Sequence, residues 1–209
     1  MKNALTFDVE DWYQSTYNKN AQVRSIVIEQ TSKVLGILDD AGVCATFFVQ
    51  GFVVKEIHEL GHEVGTHGYA HKLIFQQTLS AFAEDLDRSI RLLEDLIGRK
   101  VIGYRAPDFS ITEHSLWALD ILEQAGILYD SSIFPVKNKR YGIPNAKRHF
   151  YYVRDGGIIE FPLSTVRILG VNLPVCGGGY FRLLPYPIIK SALKRINAEG
   201  MPAVIYMHP

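Results

Sequence analysis

Cysteine is nearly missing. Cys44 and Cys176 are the only two in 209 residues. A disulfide-stapled scaffold is excluded, and both side chains read as plain thiols, Cys44 within a buried strand. An excess of charge is also missing. Twenty-two basic side chains face 22 acidic ones, which argues against a nucleic-acid binder driven by bulk positive potential. No apolar run approaches the roughly 20 residues of a membrane span. Met1 to Phe7 leads straight into Asp8, Glu10 and Asp11, without the apolar core of a secretory signal. A chain with no transmembrane segment, located in the cytoplasm, is therefore expected. Neither G-x-G-x-x-G nor G-x-x-x-x-G-K-[ST] occurs, so nucleotide binding loses its main support. No repeat, low-complexity stretch or linker divides the chain. A single domain over residues 1–209 is expected, long enough to bury a sizeable core.

What is present is an alternation of strands and helices. Leu5-Thr6-Phe7 is a short apolar run ending in acids, the pattern of a strand with polar residues at its tip. Val23, Ile26, Val27, Val34, Ile37 and Leu38 recur at helical spacing, predicting a helix from Val23 to Ala41 stopped by Gly42. Cys44 to Val49 is a second strand. Val53 to Leu60 is a short helix closed by Gly61, and His62 to Gly65 is a third strand. Phe82, Leu86, Ile90, Leu93 and Ile97 form one face of a helix over Leu79–Ile97. Val101 to Arg105 is a strand, Thr112 caps a helix ending near Gly126, and Ile127 to Tyr129 is a strand. From Phe134 to Phe181 the helical period fades into hairpins or loops. A helix from Tyr186 to Ala198 then precedes a terminal strand, Val204 to Met207. Such alternation implies parallel strands with helical crossovers, either an open doubly wound sheet or a small (β/α) barrel.

In such folds functional groups gather at the C-terminal ends of the strands. Asp8, Glu10 and Asp11 follow the first strand, His67 and His71 the third, Arg105 the fourth, Asp130 the next and His208 the last. Two imidazoles four residues apart can bind one metal, and a carboxylate makes a third ligand, leaving a position open to water. A second carboxylate can take a proton from that water, a distant histidine can protonate a leaving group, and an arginine can pair with the base. Each residue has a plainer role available. H-x-x-x-H occurs on ordinary surfaces, Asp8 could cap the next helix, and Arg105 before Pro107 could close a turn. His58, His62, His114 and His149 read as ordinary histidines, and Trp12 and Trp117 as packing. The ordered series along successive strands favours the site.

That order resembles the polysaccharide deacetylases, the NodB-homology proteins of carbohydrate esterase family 4. Thr6-Phe7-Asp8-Val9-Glu10-Asp11-Trp12 stands at the acidic motif and Gly65-Thr66-His67-Gly68-Tyr69-Ala70-His71 at the histidine motif. Gly103-Tyr104-Arg105-Ala106-Pro107, Tyr129-Asp130-Ser131-Ser132 and Val204 to Pro209 follow in order. Ile133-Phe134-Pro135, Glu160 to Thr165 and Gly177 to Arg182 resemble the branch linked to exosortase-type exopolysaccharide clusters. The resemblance implies a distorted (β/α)7 barrel that removes acetyl groups from N-acetylated sugars of a polysaccharide or its precursor, using zinc or another divalent metal such as cobalt or nickel. It implies Asp8 as general base, His208 as general acid, Arg105 orienting Asp8, and Asp130 supporting His208 or the rim. His67 and His71 would bind metal. The usual adjacent aspartate is replaced by Val9, so the third ligand is Glu10 or Asp11. Allantoinase-like amide hydrolysis and a catalytically inactive carbohydrate-binding barrel are the competing functions. The substrate class points to the cell envelope. The stretch from Val53 to Gly61 is shorter than in the family, and the chain stops at His208-Pro209 where relatives continue, which reads as a barrel cut or ended just after its last motif.

Overall fold

The computed structural model describes residues 1–11, 25–50 and 54–209. Val23, Val53 and Trp12 lie outside the described residues. In chain order the elements are β1 (Ala4–Val9), α1 (Val27–Ala41), β2 (Thr46–Val49), α2 (Val54–Glu59) and β3 (Glu63–Thr66). Then come α3 (Leu79–Ile97), β4 (Gly103–Tyr104), α4 (Trp117–Gln124), β5 (Tyr129–Asp130), β6 (Tyr151–Tyr152) and β7 (Ile159–Glu160). The chain finishes with β8 (Thr165–Ile168), β9 (Val171–Pro174), α5 (Gly178–Leu183), α6 (Tyr186–Ala198) and β10 (Val204–Met207).

The main sheet has the order β10-β1-β2-β3-β4-β5-β7-β6. Every neighbouring pair is parallel except β6 with β7. Seven strands therefore run the same way, the strand number of the distorted (β/α)7 barrel expected from the motifs. The two ends of the row approach each other beyond β7. The Ser164 N–H donates to the Val204 carbonyl at 3.3 Å, and the Val204 N–H donates to Ser164 Oγ at 2.8 Å. This contact bridges a barrel whose closing strand is irregular. The β8–β9 hairpin forms a separate two-stranded sheet.

Burial explains the alternation. Phe7 and Val9 of β1, Phe47 and Val49 of β2, and Val64 of β3 pack against Val27, Leu35 and Leu38 of α1 and Val54 and Ile57 of α2. Phe82 and Leu86 of α3 join Leu119 and Leu122 of α4 around Tyr104 in a second cluster. Helix α3 starts where Thr78 accepts a hydrogen bond from the Ala81 N–H at 3.2 Å and ends at left-handed Gly98, the boundaries the periodicity predicts. Gly65 and Gly103 are required by close approach. A Cβ at Gly65 would lie 2.7 Å from the Phe48 ring, and one at Gly103 would lie 2.3 Å from the Tyr129 ring.

Several expectations need correction. Cys44 is exposed and precedes β2, because the inward-facing residues begin at Ala45. Helix α1 starts at Val27, and Ser25 and Ile26, expected within it, are not helical. The strand expected over Val101–Arg105 pairs only at Gly103 and Tyr104. The residues after Thr112 first make a 3-10 turn over Glu113–Ser115 and become α-helical at Trp117. The loop-rich stretch after Phe134 contains β7, a true member of the parallel sheet.

Candidate active site

Alternation along β1 sets the acidic pair. Residues two apart face the same side of a strand, so Asp8 and Glu10 point together and Val9 packs into the core. Asp11 turns away. Its Oδ1 accepts from the N–H groups of Ile26 and Val27 at 2.9 and 3.0 Å, and its Oδ2 accepts from Ser25 Oγ at 2.6 Å. Its carboxylate is thus occupied in capping α1, the role the sequence leaves open for Asp8.

Glu10 faces three imidazoles. Its Oε2 lies 3.4 Å from His67 Nε2 and closes on His71 Nε2. Its Oε1 lies 3.1 Å from His208 Nε2. Glu10, His67 and His71 bring one donor atom each within 4.8 Å of one another. His67 Nδ1 sits 2.8 Å from the Arg105 carbonyl. A carbonyl can only accept, which assigns the proton to Nδ1 and turns the Nε2 lone pair toward Glu10. His71 is held in the left-handed region, φ 51°, a conformation that costs energy outside glycine and collects at functional sites.

The donor set fits a divalent metal. Glu10 Oε2 and His71 Nε2 are sealed from solvent, and Glu10 Oε2 meets only the two imidazoles. Burial pushes Glu10 up, yet its bonds to His208, His67 and His71 hold it well below the usual carboxylate range. Burial pushes His67 down, yet Glu10 and Asp8 carry it above its ordinary value. The field at this point favours positive charge, and two nitrogens with one carboxylate oxygen suit zinc, cobalt or nickel.

Arg105 grips Asp8. It is fully buried. Nη1 donates to Asp8 Oδ1 at 2.8 Å and to Thr6 Oγ1 at 2.7 Å. Nε donates to the Ser131 carbonyl at 2.9 Å and Nη2 to Ser131 Oγ at 2.8 Å. Its guanidinium lies 4.3 Å from the centre of the Phe48 ring.

Asp130 and Glu160 lie under this arginine. They are register partners on β5 and β7, and both are fully buried. Ser132 Oγ donates to Asp130 Oδ1 at 2.5 Å, and the Ile133 N–H donates to Glu160 Oε1 at 3.0 Å. Burial and the adjacent Asp130 charge push Glu160 well above the usual carboxylate range. Asp130 thus contacts Ser132 and stands beside Glu160, while His208 takes its ion-pair contact from Glu10. Sequence reasoning placed Glu160 in the branch-like stretch Glu160 to Thr165 without a chemical role; its other signal is an acid inside the apolar run Ile158 to Phe161.

A cavity of about 410 Å³ opens above Asp8, Glu10, His67 and His208. Phe109, Tyr141 and Tyr206 line it, together with Asp108, Arg140 and Arg182. The Phe109 and Tyr206 rings meet edge to face, 4.7 Å between centres. This aromatic wall comes from three separate segments, so no local motif announces it.

Fold and geometry together define an α/β barrel with a carboxylate–histidine–histidine centre at the C-terminal ends of its strands. Family comparison places that class more narrowly. The polysaccharide deacetylase model matches residues 3–129, and the chain belongs to that family. Residues 131–209 match a second model, described as a domain of unknown function (DUF3473). Among curated proteins, a peptidoglycan deacetylase-like protein of Gibberella zeae is 33% identical over 143 residues, covering 64% of this chain and 37% of that protein. The chain spans about a third of the length of the curated relatives it matches. A structure assigned as a polysaccharide deacetylase from Mycobacterium smegmatis is 25% identical with a TM-score of 0.63, covering 99% of this chain and 76% of that one. A carbohydrate esterase family 4 pseudoenzyme from Bacillus anthracis shares the fold at 18% identity and a TM-score of 0.53, covering 100% of this chain and 55% of that one. No helix among the described residues is long and apolar enough to cross a membrane.

Proposed function

We propose that this chain is a metal-dependent hydrolase that removes acetyl groups from N-acetylated sugars of a polysaccharide or its precursor. The observation that carries the proposal is the convergence of Glu10, His67 and His71 within 4.8 Å of one another, beside Asp8 gripped by Arg105. Glu10 is the third ligand, since Asp11 is committed to capping α1. Glu10, His67 and His71 would hold a divalent ion, which when bound would supply Lewis-acid polarisation of the acetyl carbonyl and of a water. Asp8 accepts a proton from that water as its oxygen adds to the carbonyl carbon. Arg105 fixes Asp8 through a charge-assisted hydrogen bond, so the base does not swing away from the water. His208 delivers a proton to the amide nitrogen as the carbon–nitrogen bond breaks, leaving acetate and a free amine. The aromatic wall of Phe109, Tyr141 and Tyr206 suits the apolar faces of sugar rings. We read residues 1–209 as one domain, a reading supported by the single sheet that holds β10, β1, β5 and β7. The sequence features after Ser132 favour the exosortase-linked branch, and with it an envelope polymer.

The test is acetate release from N-acetylated chitooligosaccharides by protein supplied with zinc, cobalt or nickel. Metal-dependent release of acetate is expected. Binding of the oligosaccharide without acetate, at any metal loading, would instead establish an inactive carbohydrate-binding barrel. Turnover of allantoin alone would establish the small-amide alternative.

A further inference from the structure

Two carboxyl groups face each other in a solvent-free layer beneath Arg105. Asp130 and Glu160 are both 0% exposed and stand in register on adjacent parallel strands, so their side chains leave the sheet on the same side. Each group uses one oxygen elsewhere. Asp130 Oδ1 takes the Ser132 hydroxyl, and Glu160 Oε1 takes the Ile133 N–H. The oxygens that remain, Asp130 Oδ2 and Glu160 Oε2, are buried with no hydrogen-bond partner among the described residues, and the strand register sets the two carboxyl groups side by side. Two carboxylate oxygens can approach only with a proton between them, because neither ionised group has a donor.

We propose that Asp130 and Glu160 share one proton, held on Glu160 Oε2 and donated to Asp130 Oδ2, and that this pair positions Arg105 and through it Asp8. Burial pushes both carboxyls up, Glu160 the further of the two, and the donors around Asp130 favour the charge there. Asp130 already accepts the Ser132 hydroxyl, as an ionised carboxylate does, and Arg105 lies close enough to favour that charge. Glu160 carries the proton. Tyr104 and Tyr151 are the other titratable groups facing the pair, and burial pushes both phenols up, so neither competes as an anion.

The pair also reaches the site. Ser132, oriented by Asp130, accepts the Ala106 N–H at 2.8 Å. Ser131 accepts Arg105 Nη2 and donates to the Phe161 carbonyl at 2.8 Å, next to Glu160. The two serines after Asp130 therefore tie the ends of β4, β5 and β7 into the cradle in which Arg105 holds Asp8. A second charge on Glu160 would force the carboxylates apart and spread that cradle.

Three measurements on the full chain test this. Infrared spectra of the wild type at neutral pH should show a protonated carboxyl band that is absent from Glu160→Gln. The glutamine can still donate to Asp130 and accept from Ile133, so this variant folds. Next comes stability against pH. A raised carboxyl stabilises fully below the unfolded value of about 4.3 and loses that contribution as pH rises toward the folded value. Between those two values the unfolding constant of the wild type, relative to Glu160→Gln, should rise about tenfold per pH unit, and it should level off above the folded value. A missing band, or parallel stability curves, would overturn the shared proton.

The positioning half rests on Asp8 acting as the base. Glu160→Ala should lower kcat on the order of 10- to 100-fold, with KM and metal content unchanged, and Glu160→Gln should restore most of it. An unchanged kcat in Glu160→Ala, or a glutamine variant no better than alanine, overturns the positioning role. The spectroscopic and stability arms need no substrate, so they decide the shared proton even if no deacetylation is found.

Discussion

Two buried acid clusters flank Arg105, and burial alone treats them alike. Glu10 and Glu160 are both removed from water, and desolvation drives both toward the neutral form. Their partners send them opposite ways. Glu10 meets three imidazoles and is held down, ready to face a cation. Glu160 meets another carboxylate and is held up, able to donate a hydrogen bond. Burial sets how much a charge matters, and the neighbour decides its sign. Between the clusters, Arg105 spends donors on both sides, toward Asp8 and toward Ser131.

Removing the divider has the largest expected effect. Arg105→Ala leaves Asp8 buried without its cation and should destabilise the fold by about 3–5 kcal/mol, measured by urea unfolding. Arg105→Lys should recover only part, since one ammonium cannot reach Asp8, Thr6 and Ser131 in the same planar fork. A variant as stable as wild type would mean the two clusters are independent of this side chain.

The imidazole side breaks next. Glu10→Gln or His67→Ala should weaken zinc binding by more than about 100-fold, beyond the loss typical of an outer-shell partner, read by competition with a chromogenic chelator. The smallest effect sharpens the assignment. Asp11→Ala removes a helix cap and should cost about 1 kcal/mol in thermal unfolding, with zinc binding intact. Loss of zinc from this variant would return Asp11 to the ligand set.

Much of the imidazole side was legible in the sequence, and little of the carboxyl side. Asp8, Glu10, His67 and His71 follow strands with clear apolar runs, and His208 follows β10. The choice between Glu10 and Asp11 was not legible, because it depends on which backbone N–H groups the α1 entry presents to Asp11. Glu160 was invisible as a functional group because β7 is two residues long and its partner, Asp130, lies on another strand. A short strand carries no periodicity, and an acid pair across strands carries no local spacing. The same reason hid the Phe109, Tyr141 and Tyr206 wall. Helices α3 and α6 were read correctly because a long amphipathic stripe records its own burial, whereas Cys44 was misplaced because strand ends carry too few residues to show which way they face.

The central claim is that Glu10, His67 and His71 form a metal centre. Zinc stoichiometry on purified wild type beside Glu10→Gln tests it most directly. One ion per wild-type chain and none on the variant is the predicted result. A wild-type chain that binds no divalent metal, or a variant that keeps its full complement, would contradict it.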